Sequence, residues 1–193
     1  MATAVDAAAY ILSRRTAVDA VKLQKLLYYA QAWHVVSMDT PLFQDEIQAF
    51  ELGPVTYSVW SLHRGLNTLT RRSFPEGDPS RLTAEERGVI DAVMDAYGSL
   101  RQWELSKLTH AESPWSDAWN CRDKRISVDA LREYYANEAV KTARQRTTPK
   151  IPRIHDARVT YMDSDELEAL VETLDEVDDL SHLLAAARRA YTA

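Results

Sequence analysis

The chain of 193 residues contains a single cysteine, Cys121, and this scarcity excludes two classes of small protein. One thiol cannot build a framework of intrachain disulfides, and it cannot supply a zinc cluster based on cysteine ligands. So few thiols are typical of proteins that stay in a reducing compartment. The residues before Arg15 also lack the basic region with which a secretory signal peptide begins. The sequence therefore predicts a cytoplasmic protein.

Glycine and proline are scarce as well, with 5 and 7 residues respectively. Sandwiches and barrels of β-strands need many turns, and turns are rich in these two residue types. The glycines all lie between Gly53 and Gly98, and their spacing forms neither a GxGxxG motif nor a P-loop. The longest uncharged run, residues 26–38, is too short and too polar to span a bilayer. The composition therefore favours a helical protein with no glycine-rich nucleotide site and no membrane span.

Side chains that carry catalysis or bind metals do not form a recognised pattern. None of the five histidines pairs with another histidine or a carboxylate at a metal-binding spacing such as HExxH. His110 and Glu112 form only a weak pair, for which a structural histidine at a helix end is the simpler explanation. Cys121 has no identifiable base beside it in the sequence, and no GxSxG motif is present. The sequence therefore predicts a protein that is not an enzyme and binds no metal or cofactor.

Apolar residues recur at helical spacing through most of the first 143 residues. Thr83 and Glu86 form a capping box, and Ser99 and Gln102 form a second one. The pair Ser113-Pro114 and the residue Ser127 indicate further helix starts. The spacing predicts helices over residues 4–15, 20–37, 57–69, 83–97, 99–110, from 113 onward, and 127–143. Residues 47–52 alternate between apolar and polar, which predicts a short strand ended by Gly53-Pro54. The expected fold is mainly α: a compact multi-helix domain with a small β element near residues 47–52.

The C-terminal part of the sequence consists of a basic segment followed by an acidic one. Residues 141–158 contain six basic residues against Asp156 alone, together with two prolines. Residues 163–179 contain nine acidic residues and no basic residue, and apolar residues from Leu167 onward recur at helical spacing. These patterns predict a domain over residues 1–143, a basic linker over 144–162 and an acidic amphipathic helical region over 163–193. That last region would be a helical C-terminal appendage.

A DNA-binding function is the alternative that the predicted helices around Gly98 suggest. Two helices joined by a tight turn are similar to a helix-turn-helix, and the second would present Arg101, Gln102, Lys107 and His110. The alternative function is therefore that of a DNA-binding regulator, with its own operon as one candidate target. However, the net charge is −6, whereas phosphate binding needs several clustered cations. Nucleic acid is therefore the disfavoured partner, and packing of the two helices within a bundle is the simpler explanation.

Aromatic residues are concentrated on the predicted helix 20–37. Tyr28 and Tyr29 are adjacent and so point about 100° apart on a helix, which spreads aromatic surface over more than one face. Burial in the core is the favoured interpretation for these residues and Trp33. A partner-binding surface is the alternative, because tyrosine and tryptophan are enriched in interfaces. Lys22, Gln24 and Lys25 are expected on the solvent side of the same helix.

The segment Lys22-Leu-Gln-Lys-Leu-Leu-Tyr-Tyr-Ala-Gln-Ala-Trp33 resembles the signature helix of the Panacea antitoxin domain, which occurs in SocA-like and GepA-like phage-associated proteins. Five later motifs resemble the family in order and spacing: Pro41-Leu-Phe43, Glu46-Ile47, Gly53-Pro54-Val55, Leu82-Thr-Ala-Glu85 and Leu108-Thr-His-Ala-Glu-Ser-Pro-Trp115. The resemblance covers about residues 4–140, so the acidic C-terminal region departs from the minimal domain.

The resemblance implies an antitoxin of a type II toxin–antitoxin system, which silences a co-encoded toxin protein by direct binding. At least one type in the family acts instead as an adaptor that delivers its toxin to a protease, and members neutralise unrelated toxins. The motif match makes Lys22, Lys25, Tyr28, Tyr29 and Trp33 candidates for partner binding. In the C-terminal region the carboxylates of Glu168, Glu172 and Asp175 are further candidates, because they would attract a basic toxin surface. The alternative for that region is a helix packed on the bundle with its acidic side in water.

Overall fold

The structure is a computed structural model that describes the backbone of residues 2–145 and the side chains of residues 2–139. Nearly all of the predicted linker and the whole predicted region 163–193 lie outside the described residues. The candidate residues Glu168, Glu172 and Asp175 lie outside them too. Within residues 2–145, no helix combines the length and the apolar character that crossing a bilayer requires.

The described chain is mainly α with a small β element, which confirms the fold class expected from the sequence. The seven α-helices of this part are α1 (Ala4–Ser13), α2 (Ala20–Met38), α3 (Tyr57–His63), α4 (Ala84–Tyr97), α5 (Gln102–His110), α6 (Ser113–Asn120) and α7 (Val128–Gln145). The strands are β1 (Val18–Asp19), β2 (Ile47–Phe50), β3 (Gly53–Thr56), β4 (Thr68–Leu69) and β5 (Arg125–Ile126). Two short 3-10 helices, Arg71–Ser73 and Pro79–Arg81, interrupt the loop before α4.

The strand predicted near residues 47–52 is present as β2, but the β element continues beyond Gly53-Pro54. Gly53 has a φ of 102°, which lets the chain reverse and return as β3 antiparallel to β2, with Phe50 opposite Gly53. β5 pairs with the other edge of β2. The pair formed by β1 and β4 is a separate sheet that joins the start of α2 to the loop after α3.

The predicted helix starts are correct at two of four positions. The predicted capping box of Ser99 and Gln102 is wrong, because α5 begins at Gln102 with Arg101 at its N-cap. In the capping box of α4, Thr83 Oγ1 accepts from the Glu86 backbone N–H, and Glu86 Oε2 accepts from the Thr83 N–H. Ser127 Oγ accepts from the Ala130 N–H at the start of α7. The predicted N-cap role of Ser113 is wrong, because α6 begins one residue earlier in the chain with Glu112 at the N-cap and Ser113 already helical.

Helix α2 lies at the centre of the described core, in contact with α1, α4, α5, α7 and β3. Fourteen of its 19 residues are buried, so it is covered around most of its circumference and not along one stripe. The expectation that Lys25 lies on a solvent-facing side is therefore wrong: its exposed fraction is 0%. The same expectation is wrong for Gln24, which is buried beside it. Both polar side chains are held by β3, since Lys25 Nζ donates to Pro54 O and Gln24 Oε1 accepts from the Thr56 N–H.

Candidate functional site

Three tyrosine hydroxyls converge on the buried carboxylate of Glu112. Tyr28 and Tyr29 on α2 donate to its two oxygens, Oε2 at 2.9 Å and Oε1 at 3.0 Å. Tyr135 on α7 donates to Oε2 at 2.8 Å. All four side chains are buried. We call these four residues the tyrosine–Glu112 cluster; it joins α2, α7 and the start of α6 through one carboxylate.

Local sequence explains why these groups can meet. Adjacent positions on α2 direct Tyr28 and Tyr29 about 100° apart, so the two rings approach Glu112 from different sides. Glu112 is the N-cap residue of α6, but its side chain makes no capping bond and accepts the tyrosine hydroxyls instead. Since buried hydroxyls need a partner, the burial of two neighbouring tyrosines requires an acceptor of this kind.

Aromatic packing extends the cluster along α2. The rings of Tyr29 and Tyr97 are stacked, with centroids 4.0 Å apart and planes 6° from parallel. Trp33 Nε1 donates to Tyr97 Oη at 3.2 Å, and the Trp33 ring meets Tyr135 edge-on at 5.1 Å. The candidate residues Tyr28, Tyr29 and Trp33 are thus engaged inside the domain, as the favoured core interpretation expected. Their contribution to partner binding stays a prediction.

Glu112 is an acidic group placed in an apolar environment. Burial raises the pKa of its carboxyl to about 7, although the hydroxyls of Tyr135, Tyr28 and Tyr29 act in the opposite direction by stabilising the carboxylate. Burial and the nearby Glu112 charge raise the pKa of Tyr28 and Tyr29 above the ordinary value of 10.0. The tyrosines therefore remain donors, while both protonation states of Glu112 are populated near neutral pH.

Lys25, on α2, is another buried ionisable residue. Its Nζ donates to Pro54 O at 3.0 Å, and burial lowers the pKa of the amine to about 7. The side chain passes so close to Gly53 that a Cβ at that position would lie 2.7 Å from Lys25 Cε and 2.7 Å from Thr109 Oγ1. Lys25 thereby fixes the tip of the β2–β3 hairpin against α2 and α5.

Replacing Gly53 by alanine is expected to lower the free energy of unfolding by about 2 kcal/mol, because the new methyl group meets Lys25 and Thr109 and the backbone φ is positive. Urea denaturation monitored by circular dichroism measures the change. Gly65→Ala is the matched control: Gly65 also has a positive φ, of 87°, but a Cβ there would meet nothing within 4 Å. Equal destabilisation by the two variants would contradict a specific contact between the hairpin and Lys25.

Lys22 lies three residues before Lys25 on α2 and is half-buried. Its Nζ donates to Gly98 O at 2.7 Å, at the C-terminal end of α4, and burial lowers the pKa of this amine as well. All five candidate residues on α2 therefore make contacts within the domain. Of the two lysines expected on the solvent side of this helix, only Lys22 is partly exposed.

A groove with a volume of about 380 Å³ lies next to Lys25, between the hairpin and α3. Its apolar lining includes Val21, Phe50, Leu52, Val55, Trp60 and Leu66. Gln24 and His63 are buried polar residues of the same lining, joined by a contact of 3.0 Å between Gln24 Nε2 and His63 Nε2. The sequence did not indicate this groove.

The side chains that a DNA-binding function would use are exposed on or next to α5: Arg101, Gln102, Lys107 and His110. Glu104 lies on the same helix, and its carboxylate accepts from the Arg101 backbone N–H. The His110 ring is stacked on Trp115 with centroids 4.0 Å apart. DNA binding stays a prediction. No group of three or more His, Cys, Asp or Glu side chains in the described part of the chain is placed to hold a metal ion.

Sequence reasoning did not identify Tyr135, Tyr97 or the role of Glu112 as the acceptor of the tyrosine hydroxyls. Glu112 lies more than eighty residues along the chain from Tyr28 and Tyr29, and neighbouring polar residues make it resemble a surface carboxylate. The available indication was the adjacent tyrosines themselves, since two buried hydroxyls need an acceptor.

Residues 23–116 match the family model described as antitoxin SocA-like, Panacea domain. The matched range begins within α2, contains the hairpin and most of the residues that line the groove, and ends within α6. It includes Glu112 and both tyrosines of α2. No curated protein and no solved structure matches the chain. The family match confirms the resemblance that the sequence motifs indicated.

Proposed function

Because this chain belongs to the SocA-like, Panacea-domain family of antitoxins, we propose that it neutralises a co-encoded toxin protein by direct binding, as the antitoxin of a type II system. The family match over residues 23–116 carries the proposal. An antitoxin role in general follows from the family. Beyond this role we propose direct binding, a toxin encoded by the neighbouring gene and the type II mechanism.

In this proposal the protein performs no reaction itself. Two of the buried ionisable side chains, Glu112 and Lys25, are engaged by groups of the domain: three hydroxyls for the carboxylate and a backbone carbonyl for the amine. Such contacts support a role in positioning helices and the hairpin. The candidate residues on α2 then contribute to neutralisation indirectly, by holding the domain in its folded shape. Glu168, Glu172 and Asp175 contribute negative charge that attracts a basic toxin surface.

Rescue of growth tests the proposal. The adjacent reading frame is placed under an inducible promoter, and its product is expected to stop growth of the host when expressed alone. Co-expression of the full chain is expected to restore growth. A chain truncated after Thr148 is expected to rescue less well, because it lacks the acidic region. A host that grows equally with and without the full chain would contradict the proposal.

Direct binding and delivery to a protease are distinguished by the amount of toxin that remains. Under direct binding, the tagged toxin accumulates in the rescued cells. A rapid loss of the tagged toxin that requires this chain would support the adaptor mechanism instead. Immunoblotting after a block of protein synthesis provides the measurement.

A further inference from the structure

Large apolar side chains are exposed in one part of the described surface. Among the described residues, five such side chains are exposed: Leu52, Tyr57, Leu62, Leu66 and Trp103. Four of them lie between residues 52 and 66. Single exposed apolar residues are ordinary, whereas a cluster of them marks an interaction surface.

The groove between the hairpin and α3 is where these exposed residues meet half-buried aromatic rings. Leu52 and Leu66 line it. The centroid of the Trp60 ring lies 5.5 Å from the ring centroids of both Phe50 and Tyr57. Trp103 extends this surface, since it lies one helical turn before Ser106, whose Oγ donates to Leu52 O at 3.0 Å. We call the part formed by Phe50, Leu52, Val55, Trp60 and Leu66 the docking groove.

The docking groove is held in shape by bonds from three sides. Trp115 Nε1 donates to Phe50 O at 3.1 Å. The Leu66 N–H donates to His63 O, and the neighbouring Asn67 O accepts from the Ala20 N–H at the start of α2. A groove fixed in this way loses little conformational freedom when a partner enters it, which favours tight binding.

Two charged side chains lie at the docking groove: the exposed carboxylate of Glu51 belongs to its lining, and Arg64 lies beside its Trp60 wall. The Arg64 side is where the exposed aromatic surface continues, and its charge indicates what enters there. The Arg64 guanidinium lies 5.1 Å from the centroid of the Trp60 ring, so a cation is held beside the exposed aromatic surface. Trp, Tyr and Arg are the residue types in which binding energy concentrates at protein interfaces, and here Trp60 adjoins both Tyr57 and Arg64. A partner with a carboxylate next to apolar side chains is complementary to this arrangement.

Resting on the proposed function, we propose that the docking groove is the contact site for the toxin. It receives an amphipathic segment of the toxin whose apolar side chains enter between Leu52 and Leu66 and whose carboxylate pairs with Arg64. The volume of about 380 Å³ accommodates a few side chains, so the groove is the centre of the interface and further surface surrounds it.

Two neighbouring leucines of α3 and its following loop provide a matched test. Leu66 is 49% exposed and lines the groove, whereas Leu62 is 48% exposed and does not line it. The probe is the product of the adjacent reading frame, made in a cell-free system because it arrests cells, and its affinity for the full chain is measured by biolayer interferometry. Leu66→Ser is expected to weaken affinity by about tenfold or more, while Leu62→Ser leaves it unchanged.

Arg64→Glu tests the charge of the partner separately. It is expected to weaken affinity by about tenfold or more at low salt, and the difference from the wild type is expected to shrink as salt is added, because an attractive pair becomes a repulsive one and salt screens both. Thermal unfolding of each variant shows that it remains folded, which exposed positions should permit.

The outcomes separate this inference from the proposed function. If the wild-type chain binds the probe and both Leu66→Ser and Arg64→Glu bind it equally well, the docking groove is not the contact site, while the proposed function stands. If the wild-type chain alone is an oligomer that Leu66→Ser dissociates, the groove joins copies of this chain and the inference is overturned. If the wild-type chain does not bind the probe at all, the proposed function fails together with the inference.

Discussion

Replacing Glu112 by alanine is expected to lower the free energy of unfolding by about 4 kcal/mol, because three buried tyrosine hydroxyls lose their acceptor at once. A buried polar group without a partner costs roughly 1–3 kcal/mol, and partial re-pairing or entry of water keeps the total below the sum for three groups. Glu112→Gln is expected to cost less, since the amide oxygen still accepts hydrogen bonds from the tyrosines.

Urea denaturation measures this prediction through the midpoint and the slope of the transition. Glu76→Ala is the matched control, because Glu76 is an exposed carboxylate and its removal should change stability by no more than about 0.5 kcal/mol. If Glu112→Ala is as stable as Glu76→Ala, the tyrosine–Glu112 cluster does not hold α2, α6 and α7 together.

The stability of the wild-type protein relative to Glu112→Gln is expected to fall as the pH rises from 4.5 to above 7. Burial raises the pKa of Glu112 from 4.5 to about 7, so the folded state binds this proton more tightly than the unfolded state does. The resulting contribution to stability is complete below pH 4.5 and is lost as the pH rises through about 7. The rise in the pKa of Glu112 from 4.5 to about 7 corresponds to a loss of about 3 kcal/mol in the free energy of unfolding across this pH range.

Unfolding free energies of the wild-type protein and Glu112→Gln, measured by urea denaturation across this pH range, provide the test. Groups that titrate in both proteins cancel in the difference. Lys25→Met is the matched control: burial lowers the pKa of Lys25 from 10.5 to about 7, so its contribution changes between about pH 7 and 10.5 and leaves the lower window unaffected. A difference between wild type and Glu112→Gln that is constant from pH 4.5 upward would contradict a buried, proton-binding Glu112.

The environment of the α2 side chains changes how variants of this helix should be interpreted. Tyr29→Ala removes both a donor to Glu112 and a ring stacked on Tyr97, and Lys25→Glu places a carboxylate where an amine meets a backbone carbonyl. Both changes are expected to destabilise the domain. A loss of toxin neutralisation in such variants therefore indicates a toxin contact only if the unfolding transition of the variant remains that of the wild type.

The helices could be predicted from the sequence because their determinants are local. Helical spacing and caps such as Thr83 with Glu86 act within a few residues, and they placed α2 and α4 within a residue or two of their observed limits. The burial of Lys25 and Gln24 depended on a different kind of information. Their partners are backbone groups of β3, about thirty residues later in the chain, and no local pattern reveals such a bond.

The same distinction applies to the candidate sites. The sequence motif identified Tyr28 and Tyr29 as important, but their partner Glu112 could be found only once the chain had folded. The docking groove was not predictable, because Leu52 and Leu66 look like ordinary core residues and their exposure follows from how the hairpin and α3 pack. Apolar residues are buried by default in a sequence-based interpretation, so an exposed apolar surface is a property of the tertiary structure.

Whether this protein works by binding another polypeptide is decided most directly by mixing it with the product of the adjacent reading frame. Isothermal titration calorimetry of the two purified proteins, followed by size-exclusion chromatography of the mixture, measures complex formation. We expect a saturable binding heat and a single complex that contains both chains. Heats no larger than those of dilution, together with separate elution of the two proteins at concentrations that arrest and rescue growth, would contradict neutralisation by direct binding.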